Sequence, residues 1–115
     1  MDKESVKRAE VIFVGEIVDV IEKRNKKVLW FDHGHDGMEY HLKVAHAFKG
    51  VREGEIVVVF SDLSSVGIHA SVGEKWLMVP RHNDDKGWTT DICSHSGKLS
   101  EKRTKKDVRF LKRQF

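Results

Sequence analysis

Four of the seven histidines in this 115-residue chain lie between Trp30 and Gly50, in the stretch WFDHGHDGMEYHLKVAHAFKG. Histidine is a common ligand for zinc and other transition metals, and two imidazoles that lie close together can share one ion. The stretch therefore raises the question of a metal site. The answer depends on which of its residues form a strand and which form a loop.

The spacing of these histidines does not favour a structural metal. His33 and His35 lie in a predicted loop between glycines, whereas His41 and His46 belong to a predicted strand and point to opposite faces if that strand is regular. No Cys-x-x-Cys or His-Glu-x-x-His pattern supplies the convergent ligands that zinc needs. We predict no structural metal and no cofactor; weak adventitious binding by His33, His35 and Asp36 is the alternative.

The residue types that carry out covalent catalysis are also scattered. Cys93 and His95 are two apart on a predicted strand and point the same way, but no third group orients the imidazole. Ser64, Ser65 and Ser71 lie in a loop without a Gly-x-Ser-x-Gly motif, and the chain has no glycine-rich phosphate loop. We therefore predict that the protein is not an enzyme and that Cys93 is a small buried or half-buried thiol.

Alternating apolar residues rich in β-branched types predict five short strands. Gly15 in the first strand predicts a bulge or sharp bend, and Pro80 lies near the end of the fourth, where its missing N–H does least harm. In the second strand, Tyr40, Leu42 and Val44 alternate with other residues, which predicts one buried face. The predicted strands are Ala9–Glu22, Met38–Gly50, Glu53–Asp62, Gly73–His82 and Gly87–Ser94.

The last segment changes to a helical period. Thr104 and Asp107 resemble a capping box, and Val108, Leu111 and Phe115 fall on one helical face among lysines and arginines. Five strands close one sheet more easily than they build two, which favours a barrel over a sandwich. We predict a single mainly β domain over residues 1–115, with its core in 9–99. It is a five-stranded OB-fold-like barrel with a C-terminal amphipathic helix over about 104–113.

Composition indicates a globular protein of one domain. The chain is 39% hydrophobic and 34% charged, and its longest apolar runs are far shorter than a bilayer span, so we expect no membrane span. The net charge is +3, but from Lys98 onward there are eight basic and two acidic residues. The basic excess therefore belongs to the C-terminal segment, which suits nucleic acid, acidic proteins or anionic lipid surfaces.

The amino end, MDKESVKRAE, has no apolar run followed by a small-residue cleavage site. We expect either a cytoplasmic protein or an exported one whose signal has been removed. Cys93 is the only cysteine, so no disulfide forms within the chain as given.

Four short motifs follow one another along the chain. They are IFVG at Ile12–Gly15, aromatic-Lys-Gly at Phe48–Gly50, Gly-Glu-x-aromatic-Leu at Gly73–Leu77 and Cys-Ser at Cys93–Ser94. In order and spacing they resemble bacterial proteins related to the amino-terminal domain of tissue inhibitors of metalloproteinases, a netrin-module-like OB-fold. The resemblance covers about Ala9 to Leu99 and implies a five-stranded barrel with a helix packed against it.

The same resemblance implies two features that this chain lacks. In the animal inhibitors an amino-terminal cysteine chelates the protease zinc, and a disulfide ties it to the loop between the third and fourth strands. Here the chain begins with MDKESV, and Val66 stands where the resemblance would place the loop cysteine. Cys93 matches the fifth-strand cysteine of the family, whose partner lies near the amino terminus. Metalloprotease inhibition is therefore an alternative function whose chelating cysteine is absent.

Single-stranded nucleic-acid binding is a second alternative, because OB-folds often bind single strands through a basic groove with stacked aromatics. The strands offer few cations, chiefly Lys43 and Lys75, while the basic excess lies on the terminal helix. This distribution disfavours nucleic acid and favours aromatic side chains in the core. The candidate stacking platforms are Trp30, Phe31, Tyr40, Trp76 and Trp88.

The long loop from Ser61 to Gly73 is the remaining candidate site, because it mixes small polar residues with apolar ones. We predict a non-enzymatic protein-interaction module whose partner and oligomeric state the sequence does not define. The alternative is that the apolar loop residues fold back as a lid on the barrel. The predicted contact residues are Leu63, Ser65, Val66, Gly67 and Ile68.

Overall fold

The computed structural model describes residues 1–23, 37–62, 67–84, 87–90 and 94–115. Its described helices are α1 Lys3–Arg8 and α2 Lys102–Gln114. Its described strands are β1 Ile12–Lys23, β2 Gly37–Lys49, β3 Ile56–Asp62, β4 Lys75–Met78, β5 Arg81–Asn83, β6 Gly87–Thr89 and β7 Gly97–Lys98. These strands form one curled sheet in the order β5-β6-β3-β2-β1-β4-β7.

The predicted mainly β architecture with a C-terminal helix is confirmed, but the prediction of a closed five-stranded barrel is wrong. The sheet curls into a half-barrel of seven strands. The predicted fourth strand divides at Val79 and Pro80, since proline has no N–H for a ladder bond, so β4 pairs with β1 while β5 pairs with β6. The short β7 was not predicted and pairs with Trp76 and Leu77 of β4.

The β1–β2 ladder is antiparallel and contains three register shifts. One lies between Val14 and Gly15, which confirms the predicted irregularity. A Cβ atom at Gly15 would lie 2.9 Å from Phe13 Cε2 and 3.1 Å from Leu42 Cβ, so glycine allows the close approach. At this shift β2 skips Ala45, and a skipped residue reverses which face the following side chains occupy.

Two apolar clusters lie on the two faces of the sheet. The inner cluster confirms the predicted buried face of β2, and the outer cluster lies on the opposite face, where α1 and α2 pack. The inner cluster consists of Val11, Phe13, Ile17, Tyr40, Leu42, Val44, Val57, Val59, Ile68, Trp76 and Met78. The outer cluster consists of Ile12, Val14, Phe48, Leu77, Val79 and Leu111.

Helix α2 begins two residues before its predicted start, and the predicted capping box does not form. Thr104 and Asp107 lie inside the helix and are buried, and the N-cap residue makes no side-chain bond. Asp107 Oδ1 instead accepts a hydrogen bond from the amino group of Met1 at 2.9 Å. Leu111 is fully buried, whereas Phe115 is 58% exposed, so the sheet covers only part of the apolar face.

Within the described ranges, no helix has both the length and the apolarity needed to cross a membrane.

Candidate functional site

The predicted contact loop contributes a core residue. Ile68 is only 4% exposed and belongs to the inner cluster. Its N–H donates to Ser61 Oγ at 2.9 Å, and its carbonyl oxygen accepts from the Tyr40 hydroxyl at 3.1 Å. Ile68 therefore folds back onto the sheet, as in the lid alternative, and does not present its side chain to a partner. The other apolar and polar contact residues, Leu63, Ser65 and Val66, lie outside the described residues.

The end of this loop is fixed by tight packing and hydrogen bonds. Gly67 is buried, and a methyl group there would overlap the carbonyl oxygen of Asp62, so the close approach requires glycine. The Tyr40 hydroxyl also accepts a bond from the Ala70 N–H at 3.3 Å. Burial raises the pKa of the Tyr40 phenol, which keeps the hydroxyl protonated as a donor. A segment held in this way is part of the scaffold.

His41 and His46, the two described histidines of the stretch from Trp30 to Gly50, do not converge on one site. His41 Nε2 lies 2.8 Å from Glu39 Oε1, whereas the His46 ring lies 4.4 Å from the Phe48 ring between centroids. Both histidines lie on the outer face because β2 skips Ala45, so the prediction of opposite faces holds only for a regular strand. No three His, Cys, Asp or Glu side chains in the described ranges are grouped to hold a metal ion. The predicted weak-binding set, His33, His35 and Asp36, lies outside those ranges.

Most of the candidate stacking rings that the structure describes are core residues. Tyr40 is 1% exposed and Trp76 is 6% exposed, and both belong to the inner cluster. Trp88 is half-buried, with its ring centroid 5.3 Å from that of His82. Stacking on a base requires an open ring face, which Tyr40 and Trp76 do not offer. Trp30 and Phe31 lie outside the described residues.

An apolar groove, here named the β3 groove, lies where β3 passes β6. Its volume is about 410 Å³. Ile56 is 51% exposed and Val58 is 40% exposed, which is unusual for two neighbouring β-branched residues on one strand face. Among the described residues of its lining, Glu55 alone is charged. The lining residues used below are Val11, Val51, Glu55, Ile56, Val58 and Trp88.

Part of the β3 edge in this groove faces none of the strands that the structure describes. The Thr90 N–H donates to the Phe60 carbonyl oxygen at 2.9 Å, so Phe60 directs its backbone polar groups toward β6. Alternate residues of a strand share that direction, and Ile56 therefore does the same. Along β3, the described part of β6 pairs only with Val59 and Phe60. Among the described residues, the backbone edge at Ile56 consequently faces no strand.

Sequence reasoning missed this groove, although a signal for it exists. The run IVVVF from Ile56 to Phe60 has no polar residue on either face, whereas a strand with one solvated face usually alternates. Two apolar faces on a strand at the sheet surface mean that one of them is exposed or covered by another segment.

No protein-family model and no curated protein matches this chain. The resemblance to metalloprotease inhibitors therefore remains a prediction.

Proposed function

We propose that this chain is a non-enzymatic protein-interaction module that binds an extended segment of a partner protein in the β3 groove. The observation that carries the proposal is the exposed pair Ile56 and Val58 beside a strand edge that faces none of the described strands. A peptide added as a strand gains main-chain hydrogen bonds from such an edge and side-chain contacts from the groove. Both sources of affinity are available at this one place.

The lining of the groove specifies the chemistry of that segment. Val11, Val51 and Trp88 provide apolar surface, and Glu55 adds one negative charge. The Glu55 carboxylate already accepts a bond from the Arg52 N–H at 3.4 Å, which holds it at the rim. These features favour a segment of alternating apolar residues that carries a lysine or arginine. They disfavour a nucleic-acid strand, because the carboxylate of Glu55 would repel phosphates.

We further propose that the sheet is related to the OB-fold, a partly open Greek-key barrel that binds ligands on its second and third strands. Support comes from the topology, since β1 lies between β2 and β4 and β3 continues to β6. Only Val79 and Pro80 separate β4 from β5, so the chain passes directly from a strand near one edge of the sheet to the strand at the opposite edge. The β3 groove adjoins the strand face that this relationship would assign to a ligand.

A displayed library of random peptides, selected on the immobilised chain, tests the proposal. We expect selected peptides to alternate apolar residues with one basic residue and to protect the Ile56 amide from hydrogen exchange. Val58→Asp should weaken their binding at least about tenfold, because it places a carboxylate among apolar contacts. Val72→Asp, at a valine that is 63% exposed outside the groove, should leave binding unchanged.

Two results would contradict this function. Peptides whose binding is insensitive to Val58→Asp would place the contact elsewhere on the molecule. Submicromolar binding of a single-stranded oligonucleotide at physiological salt, lost with the same variant, would assign the groove to nucleic acid instead.

A further inference from the structure

A second recess, here named the polar cleft, lies between α1, the β4–β5 connection and the segment that precedes β7. Its volume is about 420 Å³. Sites that enclose small organic molecules have volumes of roughly 300–1,000 Å³. The cleft differs from the β3 groove in its chemistry, because four nitrogen-bearing side chains line it: Arg8, Arg81, His82 and His95.

The positive charges of the polar cleft are weakly neutralised. In the described part of the chain, Arg81 is exposed and makes no ion pair. Arg8 lies 3.3 Å from Glu4, but the two side chains are 79% and 66% exposed, and such pairs contribute little. Among the described lining residues, two arginines against Glu10 leave an excess of positive charge even when the imidazoles are neutral. A guanidinium without a carboxylate partner favours a phosphate or carboxylate ligand.

One wall of the cleft is apolar. Ala9, Val79 and Pro80 contribute to it, and Val79 and Pro80 are both buried residues. A bare inorganic anion has no apolar group to place against this wall. An anionic group attached to an apolar body would contact both the arginines and the wall, which adds the free energy of apolar burial.

Hydrogen bonds within the protein hold the apolar wall in place. The Val79 N–H donates to Ser96 Oγ at 2.9 Å, and Thr90 Oγ1 donates to the same oxygen at 2.9 Å. Ser94, which lines the cleft, joins this group through a 2.9 Å contact between its Oγ and Thr90 Oγ1. A wall fixed in this way requires little ordering when a ligand binds.

We propose that the polar cleft binds a small organic anion, a phosphate or carboxylate group carried on an apolar body. Arg81 and Arg8 contact the anionic group, and Val79 with Pro80 contacts the apolar body. The site shares no residue with the β3 groove. It therefore does not depend on the function proposed above.

Titration of the full chain with four probes, followed by amide chemical shifts, tests this site. Phenyl phosphate should bind saturably and at least about tenfold more tightly than inorganic phosphate, because only the former contacts the wall. Benzoate separates a carboxylate preference from a phosphate preference, and saturable binding of either aromatic anion at the cleft supports the site. Phenol, which lacks the charge, should bind much more weakly than both. Shifts should centre on Ala9, Arg81 and His95.

Two arginine variants complete the test. Arg81→Gln should weaken binding of the preferred aromatic anion by about tenfold, because it removes a guanidinium that pairs with no described carboxylate. Arg52→Gln, at an exposed arginine in the turn between β2 and β3, should not change it. Both substitutions are at the surface, and equal melting temperatures would show that the fold is retained. Equal affinity for phenol or inorganic phosphate, or an Arg81→Gln variant that binds as well as the parent, would overturn the proposal.

Discussion

The two apolar clusters of this sheet are covered by different kinds of segment. A loop end covers the inner cluster and is here named the loop closure; helix α2 covers the outer cluster and is here named the helix closure. The inner cluster is closed by Ile68, a loop residue whose backbone is bonded to Ser61 and Tyr40. The outer cluster is closed by Leu111 of α2, a helix whose backbone groups bond to one another. Buried backbone polar groups must be paired, so a loop can cover a core only with dedicated side-chain partners. A helix needs only an apolar face.

This difference explains why the loop residue is a poor candidate for a partner contact. The side chains of Tyr40 and Ser61 pair the buried backbone groups of Ile68, whose own side chain faces inward. The closure by the helix contains one defect of its own, since Thr104 Oγ1 is buried without a hydrogen-bond partner among the described residues. Because the loop closure needs these particular side-chain partners, it should tolerate substitutions less well than the helix closure.

The largest effect is expected for Ile68→Asp. The substitution places a carboxylate at a site that is 4% exposed, with apolar neighbours, and should cost about 4 kcal/mol or more of unfolding free energy. Val72→Asp, four residues away at a valine that is 63% exposed, should change stability by less than about 0.5 kcal/mol. Urea unfolding followed by tryptophan fluorescence measures both. An Ile68→Asp variant of parental stability would show that the loop closure is dispensable.

Leu111→Ala tests the other closure. Removing a fully buried leucine side chain should cost about 3 kcal/mol, mostly through loss of contacts between α2 and the outer cluster. Phe115→Ala, at a residue of the same helical segment that is 58% exposed, should cost under about 1 kcal/mol. Helical circular dichroism and tryptophan fluorescence should be compared during unfolding. If α2 separates before the tryptophan signal changes, the two closures are independent; coincident transitions would show that they are coupled.

Tyr40→Phe removes the hydroxyl but keeps the aromatic ring in the inner cluster. The Ile68 carbonyl loses its donor and the Ala70 N–H loses its acceptor, so we expect a loss of about 1–2 kcal/mol. Faster hydrogen exchange of the Ala70 amide would locate the effect. Ser100→Ala, which removes an exposed hydroxyl, provides the control. No change in either measurement would mean that water replaces the Tyr40 hydroxyl without loss of unfolding free energy.

Local features of the fold were predictable from the sequence. The register shift beside Gly15 follows from a glycine within a strand, and the buried face of β2 follows from its alternation. The direction in which Ile68 points was not predictable, because its hydrogen-bond partner Tyr40 is 28 positions away. The parallel pairing of β3 with β6 depends on similarly remote residues.

The helix shows the same limit. A capping-box spacing at Thr104 and Asp107 favours a helix start, but it does not specify that position. Asp107 is buried against the amino group of Met1, a residue 106 positions away in the chain. Local patterns thus predicted which segment is helical, while contacts between distant segments decided where it begins and which of its residues are buried.

The smallest effect is expected at Glu74, which links the two closures. Its Oε1 accepts from the Ser71 N–H at 2.9 Å, at the end of the loop, and its Oε2 lies 2.8 Å from Lys98 Nζ in β7, which leads to α2. The hydrogen bond from Lys98, and then that from the Ser71 N–H, lowers the pKa of Glu74 from 4.5 to about 2. The ionised carboxylate is therefore favoured in the folded protein.

Because the pKa of Glu74 is lower when folded, its stabilising contribution is complete above pH 4.5 and is lost as the pH falls toward about 2. The Lys98 side chain is 42% exposed, so solvent screening limits the contribution to about 1 kcal/mol. Glu74→Gln should lower the unfolding free energy at pH 7 by about that amount. Between pH 4.5 and about 2, the unfolding free energy of this variant should fall less steeply than that of the parent. Glu53→Gln, at an exposed residue, should leave the profile unchanged. An unaltered acid limb in Glu74→Gln would show that the carboxylate does not join the loop to β7.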